Sequence, residues 1–123
     1  MYFNSQVCTN ERQSKRLIKL GISPETADCY NRLEENGRYS NWIGKPSLST
    51  DIPAWSLHRL MELCPLLMGP PRFLAISQHR TCYTLFEDST DISFGGKLTY
   101  DNLIDCIKWL IDENHFDNKY LNE

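Results

Sequence analysis

Residues 72–87 read RFLAISQHRTCYTLFE, and this stretch decides the fold class. RFLAIS (72–77) and TCYTLFE (81–87) are rich in β-formers and meet at the short polar segment Gln78-His79-Arg80. Two such runs joined so closely predict an antiparallel hairpin, because parallel neighbours need a long crossover. Ser89-Thr90-Asp91 then predicts a turn into a third short strand, Ile92-Ser93-Phe94, closed by Gly95-Gly96. The final element is a helix. Tyr100, Leu103, Ile104, Ile107, Leu110 and Ile111 recur at helical spacing, with Thr99 as N-cap and Asp101 in the first turn. Its apolar stripe is expected to cover one face of the hairpin sheet.

Working back from the hairpin, CPLLMGPP (64–71) is a stiff apolar connection through which no helix can continue. A helix from about Ala54 to Leu63 is expected before it, with Pro53 in its first turn and Asp51 or Thr50 near the cap. Leu57, Leu60, Met61 and Cys64 form its stripe. Residues 44–53 are a turn-rich connector. Asn36-Gly37, flanked by Tyr30, Leu33, Tyr39, Trp42 and Ile43, has two readings: a hairpin turn, which is preferred, or the C-cap of a helix continuing from Ser23-Pro24-Glu25-Thr26 to Glu35. The first helix is expected from about Glu11 to Leu20, capped by Thr9 or Asn10 and stopped by Gly21. These elements predict an α+β fold, an antiparallel sheet of hairpins packed with three to four helices, as a single domain over residues 1–123.

Composition agrees with a folded domain. The 123 residues are 41% hydrophobic and 11% aromatic with a net charge of -3, which argues against disorder. No apolar run reaches the length of a membrane span, and MYFNSQVCTNERQSKR lacks the apolar stretch of a signal peptide, so a cytoplasmic protein is expected. Cys8, Cys29, Cys64, Cys82 and Cys106 are irregularly spaced with no CxxC, and read as buried small hydrophobes in a reducing compartment. The charge is polarised. Residues 1–20 carry a net +3 and residues 84–123 a net -6, a polarity that could steer a partner or let the two ends, or two copies, attract one another.

Chemical motifs are scarce. Gly95-Gly96 matches no phosphate-binding loop, and His79 with Cys82 straddles a hairpin turn where strand alternation separates them. Ser56 in PAWSL stands at a helix start, where its hydroxyl suits the first turn's backbone better than nucleophilic attack. Glu34-Glu35, Glu87-Asp88 and Asp112-Glu113 are sequence neighbours whose side chains diverge, so none forms an acid/base couple. A Cys/His dyad would need a geometry that spacing does not specify. No catalytic, cofactor or metal residue is therefore assigned, and an enzyme is not expected.

Two surface features remain. Arg12, Lys15, Arg16 and Lys19 line one face of the first helix and could contact phosphates. Trp42, Ile43 and Trp55, with Leu66, Leu67 and Met68 of the proline-bounded connector, supply more large apolar surface than a small core readily encloses. They are the expected interaction surface.

LGISPETADCY (20–30), IPAWSLHRLMELCP (52–65) and LIDCIKWLIDENHF (103–116) resemble a group of small uncharacterised proteins encoded in gut Bacteroidetes genomes, often in prophage or mobile regions. The resemblance rests on Thr26-Ala27-Asp28 and Ala54-Trp55-Ser56-Leu57, touches about a third of the chain and implies a bacterial or phage setting. The expected function is a non-catalytic accessory or interaction protein that binds another protein or a second copy of itself. The alternative is a nucleic-acid-binding protein that uses the first helix. No membrane partner is expected.

Overall fold

The computed structural model describes residues 6–65, 67–68, 72–76, 80–84 and 92–122. It is an α+β protein in which every strand pairing among the described residues is antiparallel. The chain divides into two compact units, Met1–Arg59 with Tyr120–Glu123, and Leu60–Lys119.

The first unit opens with helix α1 (Glu11–Lys19). Asn10 is its N-cap and forms a capping box with Gln13: Asn10 Oδ1 accepts the Gln13 N–H at 2.8 Å, and Gln13 Oε1 accepts the Asn10 N–H at 3.1 Å. Gly21, at φ +98°, turns the chain where a side chain would be strained. The helix start expected at Ser23-Pro24 yields only one 3-10 turn, Pro24–Thr26.

The sheet of this unit comprises β1 (Cys29–Leu33), β2 (Tyr39–Ile43) and β3 (Ile52–Ala54), with β1 in the centre. The preferred hairpin reading of residues 29–43 holds, but not as a two-residue turn. The Gly37 N–H bonds to Glu34 O, the Glu34 N–H bonds to Arg38 O, and Gly37 alone in the loop takes positive φ (+81°). The result is a three-residue loop with glycine in the left-handed position.

Pro53 corrects the expected helix start at Ala54. It lies in β3, opposite Tyr30, and the helix begins only at Leu57. The β1–β2 ladder is bracketed by Glu34 N–H→Arg38 O and Gly44 N–H→Asp28 O, so the even-numbered residues of β1 bond towards β2. Cys29 and Asn31 therefore bond towards Ala54 and Ile52 of β3, and the Tyr30–Pro53 position needs no N–H. A proline fits there, on an edge strand, without an orphaned carbonyl. Tyr120–Asn122 returns to this unit through Ser23 N–H→Tyr120 O and Asn122 N–H→Gly21 O, both 2.8 Å, and the Ile22–Leu121 bridge.

Helix α2 (Leu57–Leu63) stops just before Cys64-Pro65, as expected. The second unit then holds β4 (Leu67–Met68), β5 (Arg72–Ile76), β6 (Arg80–Thr84) and β7 (Ile92–Gly95) in sequential order. Ile76 pairs with Thr81 and Thr81 with Phe94, so the hairpin and the third strand are where the sequence places them. Of the expected turn Gln78-His79-Arg80, Arg80 opens β6 instead; Ser77, Gln78 and His79, residues 85–87 and the expected turn Ser89-Thr90-Asp91 lie outside the described residues.

Helix α3 (Thr99–Asp112) packs on β6 and β7. Leu98, not Thr99, occupies the N-cap, and Thr99 is the first helical residue. Tyr100, Leu103, Ile104, Cys106, Ile107 and Leu110 are buried, and Trp109 meets Phe94 of β7 and His115 at centroid distances of 6.3 and 5.5 Å. The helix ends in a Schellman arrangement. Asn114 takes φ 59°, its N–H bonds to Ile111 O, and the His115 N–H bonds to Leu110 O.

Candidate functional site

The expected interaction surface separates into three fates. Trp55 is fully buried, which overturns its assignment to the surface: its indole N–H donates to Thr26 Oγ1 at 2.9 Å. That bond lets an indole be buried without an unsatisfied donor. Leu66 lies outside the described residues, and Leu67 and Met68 are described as backbone only. Trp42 and Ile43 are exposed, at 50% and 79%.

Trp42 and Ile43 end β2, an edge strand. Given the bracketing bonds, Arg38, Ser40, Trp42 and Gly44 direct their backbone towards β1. Tyr39, Asn41 and Ile43 direct theirs outward. Ile43 stands opposite Cys29 and so shares the sheet face of buried Cys29 and Asn31, yet its own side chain is uncovered. Trp42 lies on the other face opposite Tyr30, with its indole N–H donating to Ser40 Oγ at 2.7 Å. Residues 39–43, YSNWI, contain no charge, proline or glycine. Natural edge strands usually carry such features to block pairing with other chains.

The strand is anchored to a polar interior that the sequence did not announce. The Asn41 side-chain amide donates to Asn31 Oδ1. Asn31 Nδ2 donates to Thr9 O at 3.1 Å and Ser14 Oγ at 3.3 Å. Thr9 Oγ1 accepts the Trp55 N–H at 3.0 Å and lies 2.7 Å from Ser14 Oγ. Thr9, Gln13, Ser14 and Asn31 are all wholly buried. Each polar group offsets its neighbour's desolvation, so the polar side of α1 can pack inward.

On the other face, Arg32 crosses Tyr30 at 4.9 Å and clamps Asp51 with two bonds, Nε to Oδ1 at 3.0 Å and an Nη to Oδ2 at 2.9 Å. Asp51 Oδ2 also accepts the N–H groups of Ser47 and Leu48. The Arg32 bonds, reinforced by these backbone donors, hold the Asp51 carboxyl well below the usual carboxylate range.

A third cluster joins Asp28, Ser56, Cys29 and Cys8. Burial opposes ionisation of Asp28, but the Ser56 hydroxyl and N–H outweigh it and lower its pKa. Burial, followed by the Asp28 charge, raises that of Cys29. Burial, then Cys29, pushes the Cys8 thiol up to about 12. A protonated thiol is a poor nucleophile, so this cluster is not an activated cysteine.

The basic face of α1 is where the periodicity places it. Lys15 is paired with Glu11 at 2.7 Å, Lys19 is exposed, and Gln13, Ser14 and Leu17 form the buried side. At the acidic end, Lys97–Asp105 and Lys108–Asp112 pair locally at 2.8 Å. Among the described residues no group of three or more His, Cys, Asp or Glu is placed to hold a metal ion, and no helix is long and apolar enough to cross a membrane. Comparison with known proteins finds no matching family model, curated protein or solved structure.

Proposed function

We propose that the protein is a non-catalytic accessory protein that binds a partner protein by strand addition at β2. The observation that carries this reading is the uncharged outer edge of β2, with Tyr39, Asn41 and Ile43 directing backbone groups outward beside the exposed side chains of Trp42 and Ile43. Strand addition uses these two resources together: main-chain bonds give affinity and alternate side chains give specificity. The edge is also compatible with a second copy, because antiparallel pairing about a two-fold axis at Asn41 sets Tyr39 against Ile43 and leaves no charge facing its like. The resemblance to small prophage-associated proteins supports a bacterial cytoplasmic setting.

The experiment compares wild type with Ile43→Lys, a charge placed on an already exposed edge. Light scattering reads self-association, and quantitative capture from host lysate reads other partners. A dimer dispersed by Ile43→Lys, or a protein whose capture falls at least tenfold in the variant, supports the reading. A monomer whose captured set is the same in both proteins overturns it. Nucleic-acid contact through Arg12, Lys15, Arg16 and Lys19 has weaker support, since Glu11 already partners Lys15. It predicts binding that weakens steeply with salt.

A further inference from the structure

Cys8, Cys29, Cys64 and Cys106 are buried free thiols, and they meet in two pairs, one in each unit. The first pair is built by the backbone. Cys29 stands opposite Ala54 across the β1–β3 ladder, and the Thr9 N–H bonds to Trp55 O at 2.9 Å, which draws the segment before α1 alongside the end of β3. Cys8, Cys29 and Ala54 thereby form one buried cluster.

The two members differ in how firmly they are held. Cys29 is in the central strand, bonded on both sides. Cys8 precedes α1 in a stretch outside any helix or strand, fastened by the Thr9–Trp55 bonds, by the contacts of Thr9 with Asn31 Nδ2 and Ser14 Oγ, and by Gln6 Nε2 donating to Cys8 O at 2.8 Å. Segments of this kind open locally at less cost than a central strand or a helix interior. In the second pair Cys106 sits in the middle of α3, and Cys64 follows α2 directly, its N–H bonded to Met61 O at 3.1 Å.

We infer that Cys8 and Cys29 are a site of reversible disulfide formation, oxidised by a small disulfide of the glutathione class when the segment carrying Cys8 lifts from β3. The Cys8 thiol gives its proton to water, and its thiolate attacks one sulfur of the reagent, releasing one reagent thiolate. When the segment returns, the Cys29 thiolate, its proton likewise lost to water, attacks the Cys8 sulfur of the mixed disulfide. The Cys8–Cys29 bond forms, and the second reagent thiolate leaves. The protein loses two electrons and two protons, and the reagent is reduced to two thiols. The bond ties the approach to α1 onto the central strand, so oxidation fixes α1 against its sheet.

The test incubates the reduced full-length chain with oxidised glutathione, alkylates the remaining thiols under denaturing conditions and maps the peptides without reduction. The expected product is a Cys8–Cys29 linked peptide lighter by two hydrogens and reopened by dithiothreitol. In Cys29→Ser, Cys8 is expected to stop as a glutathione adduct. Five alkylatable thiols after prolonged incubation, glutathione adducts without the linked peptide in wild type, or prior linkage of Cys8 or Cys29 to Cys82 would each overturn the inference. The wild-type map is decisive even if the variant fails to fold.

Discussion

The Asp28 carboxylate holds Ser56 at two atoms: Oδ1 accepts the Ser56 N–H at 2.9 Å and Oδ2 accepts its hydroxyl at 2.6 Å. Ser56 Oγ in turn accepts the Arg59 N–H at 3.1 Å, so the hydroxyl caps α2 while its own proton is held by a charge. Arg59 Nε then reaches Thr26 O at 2.7 Å, close to the hydroxyl that satisfies Trp55.

Ser56→Ala removes both the cap and a charge-assisted bond. The expected loss is about 1–2 kcal/mol, read as a lower urea midpoint with an unchanged slope. A stability equal to wild type would show that the Asp28–Ser56 pair contributes nothing to holding α2.

Asp51 sets an acid dependence. Its folded pKa is depressed, so its contribution is present above the unfolded value of about 3.9 and is lost as pH falls through the folded value. Wild type should lose stability progressively on acidification below about pH 5. Asp51→Asn should be less stable at neutral pH and show a shallower acid limb, as followed by thermal melting from pH 7 to 2. Parallel curves for the two proteins would contradict the role given to the Arg32 clamp.

Cys8 sets the opposite limb. Its folded pKa is raised from 9.0 to about 12, so the neutral thiol is the form the fold favours. Its contribution is complete below the ordinary value and declines as pH rises towards the folded one. At pH 9 the native protein should show no thiolate absorbance from Cys8, whereas the urea-unfolded chain should show it. Cys8→Ala should flatten the loss of stability at alkaline pH.

Thr81 is buried in the second unit, and its Oγ1 has no hydrogen-bond partner among the described residues. Thr81→Val removes an unsatisfied hydroxyl at nearly constant volume and is expected to leave stability unchanged or to raise it by about 1 kcal/mol. A loss of more than about 1 kcal/mol in denaturant unfolding would show that the hydroxyl is satisfied in solution.

The elements that were legible in the sequence carry their signal locally. The Tyr100–Ile111 stripe specifies a helix because a buried face repeats every three or four residues, and RFLAIS with TCYT specifies a hairpin because the two runs are adjacent. Pro53 misled because proline suits both a helix's first turn and an edge strand. Only the bonding parity of Cys29 and Asn31 decides between them, and that is set by pairing with a distant segment. Trp55 misled for a similar reason: the hydroxyl that permits its burial belongs to Thr26, far away in the chain. The polar side of α1 was least visible, since Gln13 and Ser14 look solvated until Thr9 and Asn31 are placed against them. At the candidate surface, Trp42 and Ile43 were legible as apolar residues beside a turn signal. Their position on an outward-facing edge needed the ladder register.

The return of Tyr120–Asn122 to Gly21 and Ser23 makes the first unit discontinuous along the chain, with Leu60–Lys119 inserted in it. During synthesis, the backbone groups at Ile22 and its neighbours must therefore wait for a partner made about a hundred residues later. The sheet of the first unit can form from local hairpin contacts before Tyr120–Asn122 is available to pair with Gly21 and Ser23. Until then the uncovered edge at β2 and the thiols of Cys8 and Cys29 belong to an unfinished structure, the period in which an oxidant or a neighbouring nascent chain would reach them most easily.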